Sequence, residues 1–288
     1  MKFKGILSDQ LCMKDFFNIV STFARLSKRA VFNIRKSGLC ISNVGIGINA
    51  NSIAWSQIES KNFFAHFNMK GVDESYDEIW LTLYPEQLAT ALNTVKTHFV
   101  KVIVLKLTNK QFPCISVDIE MAPQNSNNYR RLVHDLPVSI IPVREWNEYH
   151  QPVLKNFDIS IQMPSLKSLR TLCDKMKNLA ATITICCISS GDLSFIVETD
   201  SAIVVSRYFN LILDQMNEDN SNMVEDGQSR EICCNIDTKQ LSMCFGSIQL
   251  PSTLQIFGNM IQDELFNIKI KVRDNVSLFF NIQCVDAT

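Results

Sequence analysis

Hydrophobic positions along the chain follow two periodicities, one typical of helices and one of strands. Residues 9–28 and 164–180 place apolar side chains three and four positions apart, which predicts one amphipathic helix in each segment. Shorter helices are predicted at 85–98 and 238–248, and Pro85 suits the first turn of a helix because its missing N–H costs nothing there. Alternating apolar residues predict strands at 2–7, 101–107, 113–121, 130–138 and 157–163.

The two halves of the chain repeat each other at an offset of 153 residues. The offset brings helix onto helix and strand onto strand, and it persists over about 100 residues, which indicates a duplicated domain. Coinciding pairs include Phe16 with Leu169, Ile19 with Leu172, Phe23 with Met176, Gly38 with Gly191, Ile115 with Ile268 and Val117 with Ile270. We therefore expect an α+β fold of two similar domains, each with two helices packed on a mainly antiparallel sheet.

Breaks in both periodicities set the predicted domain limits. The first domain is expected at 1–138 and the second at 157–288, with a linker at 139–156 that contains two prolines. The polar, acidic stretch at 214–230 is predicted to be a mobile loop.

Composition excludes some classes of protein. With 46% hydrophobic residues in 288, the chain is long enough for two domains with real cores, and no window has the length of a membrane span. The first fifteen residues are too charged for a signal peptide. The ten cysteines form no CxxC pair, so we expect reduced, buried thiols and no metal site.

Positive charge is concentrated in the first half of the chain. Residues 1–138 carry 16 Lys and Arg against 11 Asp and Glu, whereas residues 157–288 carry 10 against 16. The first predicted helix and its second-half counterpart both turn basic residues to the side opposite their apolar face. A solvated surface would show the same pattern, but its recurrence in both halves favours contact with phosphates, without base reading. The candidate DNA-facing residues are Lys14, Arg25, Lys28, Arg29, Lys167, Arg170, Lys175 and Lys177.

Nothing in the chain resembles a catalytic centre or a cofactor site. The four histidines have no metal-binding spacing, and no phosphate-binding glycine loop occurs. Gly45-Ile46-Gly47 lacks the third glycine of a dinucleotide motif and is better interpreted as a turn. We therefore expect a protein that is not an enzyme and binds no cofactor.

Several segments resemble a known family. LTNKQFPCISVDIE (107–120), KNFFAHFNMKGV (61–72) and VHDLPVSIIP (133–142) resemble the Hus-one-type subunit of the nine-one-one DNA-damage checkpoint clamp, with further matches at 77–94 and 174–180. The family shares the duplicated fold of the replication clamp PCNA. The resemblance implies a nuclear protein, cytoplasmic before assembly, that forms a heterotrimeric ring with Rad-nine-type and Rad-one-type subunits. It also implies a clamp loader, duplex DNA bound without sequence specificity, repair enzymes and checkpoint adaptors as partners.

The resemblance also implies two surfaces that contact other proteins. Subunits of a clamp join head to tail by pairing sheet edges. By resemblance, the two unpaired edges are the strand at 114–121 and the segment at 201–209, although from the pattern alone either is equally well an internal strand. The implied interface residues are Cys114, Ile115, Val117, Ile119, Ala202, Val204, Ser206 and Tyr208. The implied partner-docking linker residues are Ile140, Ile141, Trp146 and Tyr149, whose aromatic rings could instead fix the linker to its own domain.

Two other functions compete with a checkpoint clamp. A homotrimeric replication clamp would have the same fold, and an interaction module that never encircles DNA would have no use for the helix cations.

Overall fold

The fold is described from a computed structural model of the chain, for residues 1–45, 52–121, 130–214, 230–251 and 254–286. Most of the predicted acidic loop at 214–230 lies outside these residues, as do Ile46 and Gly47 of the predicted turn. The helices are α1 (Gln10–Leu26), α2 (Pro85–Leu92), α3 (Thr94–Thr97), α4 (Leu166–Met176) and α5 (Thr238–Ser247), and a 3-10 helix spans Val143–Tyr149. No helix in these ranges is long and apolar enough to cross a bilayer.

Strands outnumber helices in both halves of the chain. The first half contains β1 (Lys2–Leu7), β2 (Ala30–Arg35), β3 (Gly38–Ser42), β4 (Ser52–Glu59), β5 (His66–Lys70), β6 (Ile79–Leu83), β7 (Val100–Asn109), β8 (Pro113–Met121) and β9 (Arg130–Pro137), and the linker contains β10 (Ser139–Ile140). The second half contains β11 (Ile159–Gln162), β12 (Thr182–Ile188), β13 (Asp192–Glu198), β14 (Ile203–Tyr208), β15 (Glu231–Asp237), β16 (Gln255–Ile261), β17 (Leu265–Arg273) and β18 (Val276–Gln283).

These strands form three sheets, in which all strand pairs of the described residues are antiparallel. A five-stranded sheet has the order β5-β1-β7-β8-β9, and a four-stranded sheet has the order β14-β13-β12-β15. The nine-stranded sheet β10-β6-β2-β3-β4-β18-β17-β16-β11 joins the two halves of the chain, because β4 of the first half pairs with β18 of the second. The α+β prediction and the duplicated order of elements are thus seen in the structure.

Local sequence explains where the helices begin. Asp9 caps α1 by accepting hydrogen bonds from the backbone N–H groups of Leu11 and Cys12, at 2.9 and 2.8 Å. Asp237 caps α5 in the same way through the N–H of Gln240, at 2.8 Å. The single helix predicted at 85–98 is divided into α2 and α3 at Asn93, so that prediction was wrong in its continuity.

The helices lie side by side on one side of the sheets. α1 contacts both α2 and α5, and α5 contacts α4, so that the four longer helices form a continuous layer. The apolar face of α1 is fully buried, with Phe16, Ile19 and Phe23 at 0% exposure. The opposite faces of these helices, which carry the predicted cations, are therefore directed away from the core.

Both halves of the chain have a glycine at the same turn, because a side chain would not fit there. Gly38 follows β2 and Gly191 follows β12, at equivalent positions of the two halves. Both have positive φ, and a Cβ added to either would clash with a carbonyl oxygen, that of Ile58 for Gly38 and that of Leu211 for Gly191. Any side chain at either turn would displace the backbone of the adjoining strand or loop.

Candidate subunit and nucleic-acid interfaces

The strand at 114–121 is not an edge of a sheet, which corrects the first predicted subunit contact. It forms β8, which pairs with β7 on one side and β9 on the other. Its four predicted interface residues are buried at 0–2% exposure, namely Cys114, Ile115, Val117 and Ile119. Ile115, Val117 and Ile119 belong to the hydrophobic core, and Cys114 is buried on the other face of the strand beside Thr108, so none of the four presents its side chain to a neighbouring chain.

The edge of that sheet is β9, which has no second strand beside it among the described residues. Val133 is 51% exposed and Leu132 is 38% exposed, so the strand presents apolar side chains to solvent. Two ion pairs hold β9, one to β8 through Asp118 and one to the turn between β7 and β8 through Lys110. Arg131 Nε donates to Asp118 at 2.7 Å, and Lys110 Nζ lies 2.5 Å from Asp135. Hydrogen bonds from these cations hold the pKa of both carboxyl groups below its usual range.

The second predicted contact does lie at a sheet edge. β14 pairs only with β13 in the part of the chain that the structure describes. Of the predicted residues, Ala202 and Val204 are exposed, whereas Ser206 and Tyr208 are half-buried. The most exposed large apolar residue of this strand, Ile203 at 64%, was not among the predicted interface residues. A row of apolar residues at an uncovered edge is a surface that pairs readily with another strand.

Each of these edges borders a groove beside a helix. The groove between β14 and α4 has a volume of about 740 Å³ and includes Leu172, Met176 and Tyr208, with Lys167 and Lys175 at its rim. The groove between β9 and α2 has a volume of about 510 Å³ and carries acidic groups instead. Its lining includes Glu86, Ala91, His134, Asp135 and Leu136. The two grooves thus differ in the charge of the side chains that line them.

Five of the eight predicted DNA-facing residues are exposed and make no hydrogen bond or ion pair within the described ranges. They are Lys14, Arg25, Lys28, Lys167 and Lys175. Lys28 lies just beyond the end of α1, and the others lie on α1 and α4. These five can meet phosphates without breaking a contact inside the protein.

The other three predicted DNA-facing residues make contacts within the chain. Arg29 donates to Thr82 Oγ1 at 2.6 Å, and its guanidinium lies 5.8 Å from the centre of the Tyr84 ring. Lys177 pairs with Asp174 at 2.6 Å. These side chains are held by contacts within the chain, so they would have to share or break those contacts to meet a phosphate.

Arg170 has a structural role at the end of α5. Its Nε donates to the Phe245 carbonyl at 2.9 Å, and its Nη2 donates to the Ile248 carbonyl. Both acceptors are at the C-terminal end of the helix, where carbonyl groups lack helical partners. Burial, together with the charge of Arg25, lowers the pKa of Arg170 below its usual range. Sequence reasoning also missed Lys239, an exposed cation on α5.

The linker is fixed to its own half of the chain. β10 extends the large sheet by pairing with β6, and Trp146 in the 3-10 helix packs beside Trp80 with the ring centres 6.0 Å apart. Trp146 Nε1 donates to the Ile141 carbonyl at 3.0 Å, and both residues are buried. Neither side chain can dock a partner in this conformation, whereas Ile140 and Tyr149 are half-buried. The geometry favours the alternative interpretation, in which the aromatic rings hold the linker down.

A polar cluster supports Trp80 from the same face of the sheet. Glu78 accepts hydrogen bonds from Asn33 Nδ2 and from Trp80 Nε1, each at 2.8 Å, and lies 3.2 Å from Arg35. Desolvation is the largest influence and raises the pKa of Glu78, but the two hydrogen bonds and the Arg35 charge outweigh it and hold the pKa below its usual range.

The cysteine prediction was wrong at one pair. Cys186 on β12 and Cys233 on β15 face each other across the two strands and form a disulfide, while the other eight cysteines are free thiols. The carboxylate of Glu231 lies within 4.8 Å of both sulfur atoms, which makes this trio a possible set of metal ligands. The disulfide removes the two thiolates that such a site would require.

Comparison with known proteins assigns the chain to a family. The model of the family described as Hus1-like protein matches residues 1–286. The chain belongs to this family. It is 30% identical over 279 residues to the checkpoint protein Hus1-like of Drosophila melanogaster, covering 96% of this chain and 97% of that relative. It is 32% identical over 211 residues to the checkpoint protein HUS1 of Homo sapiens, covering 73% and 74% of the two chains.

A solved structure confirms the predicted clamp fold. The proliferating cellular nuclear antigen of Entamoeba histolytica aligns with a TM-score of 0.70 over 99% of both chains, at 12% sequence identity. At that identity the likeness concerns the fold alone. The family and the fold agree with the resemblance inferred from the segments at 61–72, 107–120 and 133–142.

Proposed function

We propose that this chain is a non-catalytic subunit of a heterotrimeric ring that encircles duplex DNA at sites of damage. In this role it promotes checkpoint kinase signalling and tethers repair enzymes. Membership of the Hus1-like family and the names of its checkpoint relatives support this role. The PCNA-like fold supports the ring, since an arc of clamp subunits must close around the DNA.

The observation that carries this proposal is the pairing that joins the two halves of the chain. β4 is the fourth strand of the first half and β18 is the last strand of the second, and they pair antiparallel over seven residue pairs. Their counterparts are β14, the fourth strand of the second half, and β9, the last strand before the linker. These two have no partner on their outer side within the described chain. Pairing β9 of one subunit with β14 of the next would repeat the internal junction and continue the ring.

The two edges have different chemistry, as a head-to-tail ring allows, because each interface joins the β9 edge of one subunit to the β14 edge of the next. Apolar side chains and lysines border β14, whereas paired charges and acidic groups border β9. We propose a Rad-nine-type subunit and a Rad-one-type subunit as the neighbours, a clamp loader that opens the ring, and checkpoint adaptors and repair enzymes on its outer surface. We further propose that the chain acts in the nucleus and assembles from a cytoplasmic pool.

The helix layer is the proposed DNA-facing surface. The five predicted cations that are free can contact phosphates there, as can Lys239 on α5, and none of them lies in a motif that reads base edges. Contacts of this kind are individually weak and independent of sequence, which suits a ring that slides along the duplex.

The proposed assembly is tested by pairwise association. We expect Ile203→Glu, which puts a charge on the β14 edge, to weaken binding to one candidate neighbour on the order of tenfold or more and to leave the other unchanged. Val133→Glu on β9 should do the reverse. Light scattering and titration calorimetry on co-purified pairs measure both.

Matched substitutions away from the edges provide the controls. Ile212 is 68% exposed and Val153 is 93% exposed, so that a glutamate at either position adds the same charge without entering β14 or β9. Both controls should bind each neighbour as the parent chain does. A stable homotrimer of this chain alone, or edge variants that bind both neighbours normally, would contradict the proposal.

A further inference from the structure

We infer that Cys186 and Cys233 form a reversible redox modification site that strengthens the small sheet containing β14. The inference rests on the register of two strands and holds whether or not the chain enters a ring. Cys186 pairs with Cys233 directly across β12 and β15, with their Cα atoms 4.2 Å apart. Both side chains point to the face opposite the core, because the alternating neighbours Ile185 and Cys234 are buried beneath the helices.

Neighbouring cysteines cannot take the place of this pair. Cys187 and Cys234 are adjacent in sequence to the bonded residues but point to the other face of the sheet, as consecutive strand residues must. Cys234 contacts Cys284 instead, and that contact, together with burial, raises the pKa of Cys234. Cys234 lies opposite Ile185 in the strand pairing, so its sulfur has no cysteine partner directly across β12.

The disulfide encloses the elements that the clamp edge requires. It joins residues 47 positions apart, and the closed loop contains β13 and β14. β12, which carries Cys186, is the only described strand through which β13 and β14 are attached to β15. Closing this loop restricts the unfolded and locally opened states of the sheet, so the oxidised form holds β14 more firmly.

The two sulfur atoms differ in access. Cys186 is buried at 5% exposure, whereas Cys233 is half-buried at the surface. In the reduced chain, the Cys233 thiolate is thus the group that can attack a low-molecular-weight disulfide such as oxidised glutathione. One glutathione thiolate leaves and a mixed disulfide forms at Cys233.

The second step closes the pair. The Cys186 thiolate attacks Cys233 Sγ, and the second glutathione thiolate leaves. The protein loses two electrons and two protons, and one oxidised glutathione becomes two reduced molecules. Reduction runs through the same mixed disulfide, beginning with attack on the accessible sulfur of Cys233.

To test this, the purified full chain is equilibrated with glutathione buffers that contain a rising fraction of oxidised glutathione. Each sample is then quenched with acid, unfolded and alkylated, and peptide mapping shows which cysteines carry the label. The chain has ten cysteines, of which eight are free in the structure. We expect a single step from ten labels to eight, with the decrease confined to Cys186 and Cys233 and reversed by dithiothreitol. Ten labels in every buffer, or a decrease at Cys234 and Cys284, would overturn the inference.

Hydrogen exchange of the unsubstituted chain tests whether the disulfide stabilises β14. Amides of β14 that pair with β13 should exchange on the order of tenfold more slowly in the oxidised chain than in the reduced one. Amides of β1, in a different sheet, should not change. The Cys284→Ser variant should keep the two-label step, whereas Cys186→Ser combined with Cys233→Ser should abolish both the step and the difference in exchange. Equal β14 exchange in the two redox states would contradict the role assigned to the pair.

Discussion

At the scale of single residues, the structure separates side chains that are free to act from side chains that hold the fold together. Arg170 and Lys175 occupy the same helix and look alike in the sequence, yet the first binds the end of α5 and the second is free. The helical pattern predicts which side of α4 is polar, but it cannot predict which cation finds a carbonyl on another helix. That information depends on how α4 and α5 pack.

The two turn glycines give a residue-scale prediction. Gly191→Ala should lower the free energy of unfolding by about 2 kcal/mol or more, because φ is +92° and the new Cβ would meet the Leu211 carbonyl oxygen. Gly246→Ala is the matched control, since this residue lies in α5 with no atom within 4 Å of the added Cβ. There alanine should be neutral or stabilising by about 0.5 to 1 kcal/mol. Urea unfolding curves decide the matter, and equal destabilisation of both variants would argue against the strained turn.

At the scale of elements, the order of the predicted strands already identifies the edge of the five-stranded sheet. The sequence predicts a strand at 130–138 after the strand at 113–121. This last strand before the linker is β9, and it forms the edge of the sheet. The repeat also matched Ile115 and Val117 with Ile268 and Ile270, which lie in β17 between two other strands. The incorrect assignment of β8 as a sheet edge came from the resemblance. The fixed position of the linker could not be predicted from the sequence, because Trp80 and Trp146 meet only after the chain folds.

The anchoring of the linker predicts a pH dependence. Glu78 has a pKa below its ordinary value of 4.5 in the folded chain. Its ionised form therefore stabilises the fold above that value, and this contribution disappears as the pH falls through the lower folded pKa. Glu78→Gln should reduce the free energy of unfolding at pH 7 by about 1 to 3 kcal/mol, because it weakens the bonds to Asn33, Trp80 and Arg35. The difference from the parent chain should shrink as the solution is acidified below about pH 4.

Glu59→Gln is the control for this effect. Glu59 lies at the exposed end of β4, and its side chain makes no hydrogen bond or ion pair within the described part of the chain. Urea midpoints across the same pH range should be close to those of the parent chain. A Glu78→Gln difference that stays constant down to about pH 3 would show that the carboxylate charge is not the source of the stabilisation.

At the scale of the whole molecule, duplication explains both the fold and the assembly. The offset of 153 residues predicted two similar halves, and the clamp fold follows from joining them edge to edge through β4 and β18. The disulfide could not be predicted in this way, because it depends on the register of β12 and β15, which are separated in the sequence by β13 and β14. Neighbouring cysteines in the sequence point to opposite faces of a strand, and only the pairing shows which two meet.

The ring and its basic helix layer lead to a prediction for DNA. In the assembled complex, replacing Lys14, Arg25, Lys28, Lys167 or Lys175 by alanine should reduce the salt dependence of duplex association. The slope of log K against log salt should decrease in magnitude by about 0.9 for each phosphate that the variant no longer neutralises. The effect should be the same on two duplexes of unrelated sequence, because backbone contacts carry no sequence information.

Lys155 provides the matched control for this measurement, since it is an exposed cation on the linker and pairs with Glu264. Its replacement by alanine removes the same formal charge away from the helix layer, so that the slope should stay that of the parent complex. An equal decrease for Lys155 would indicate a general effect of net charge, whereas unchanged slopes for all five helix-layer variants would contradict phosphate contact through these side chains. A decrease confined to the five variants would locate phosphates at the helix layer of this chain, as an encircling ring requires and a module that only binds other proteins does not.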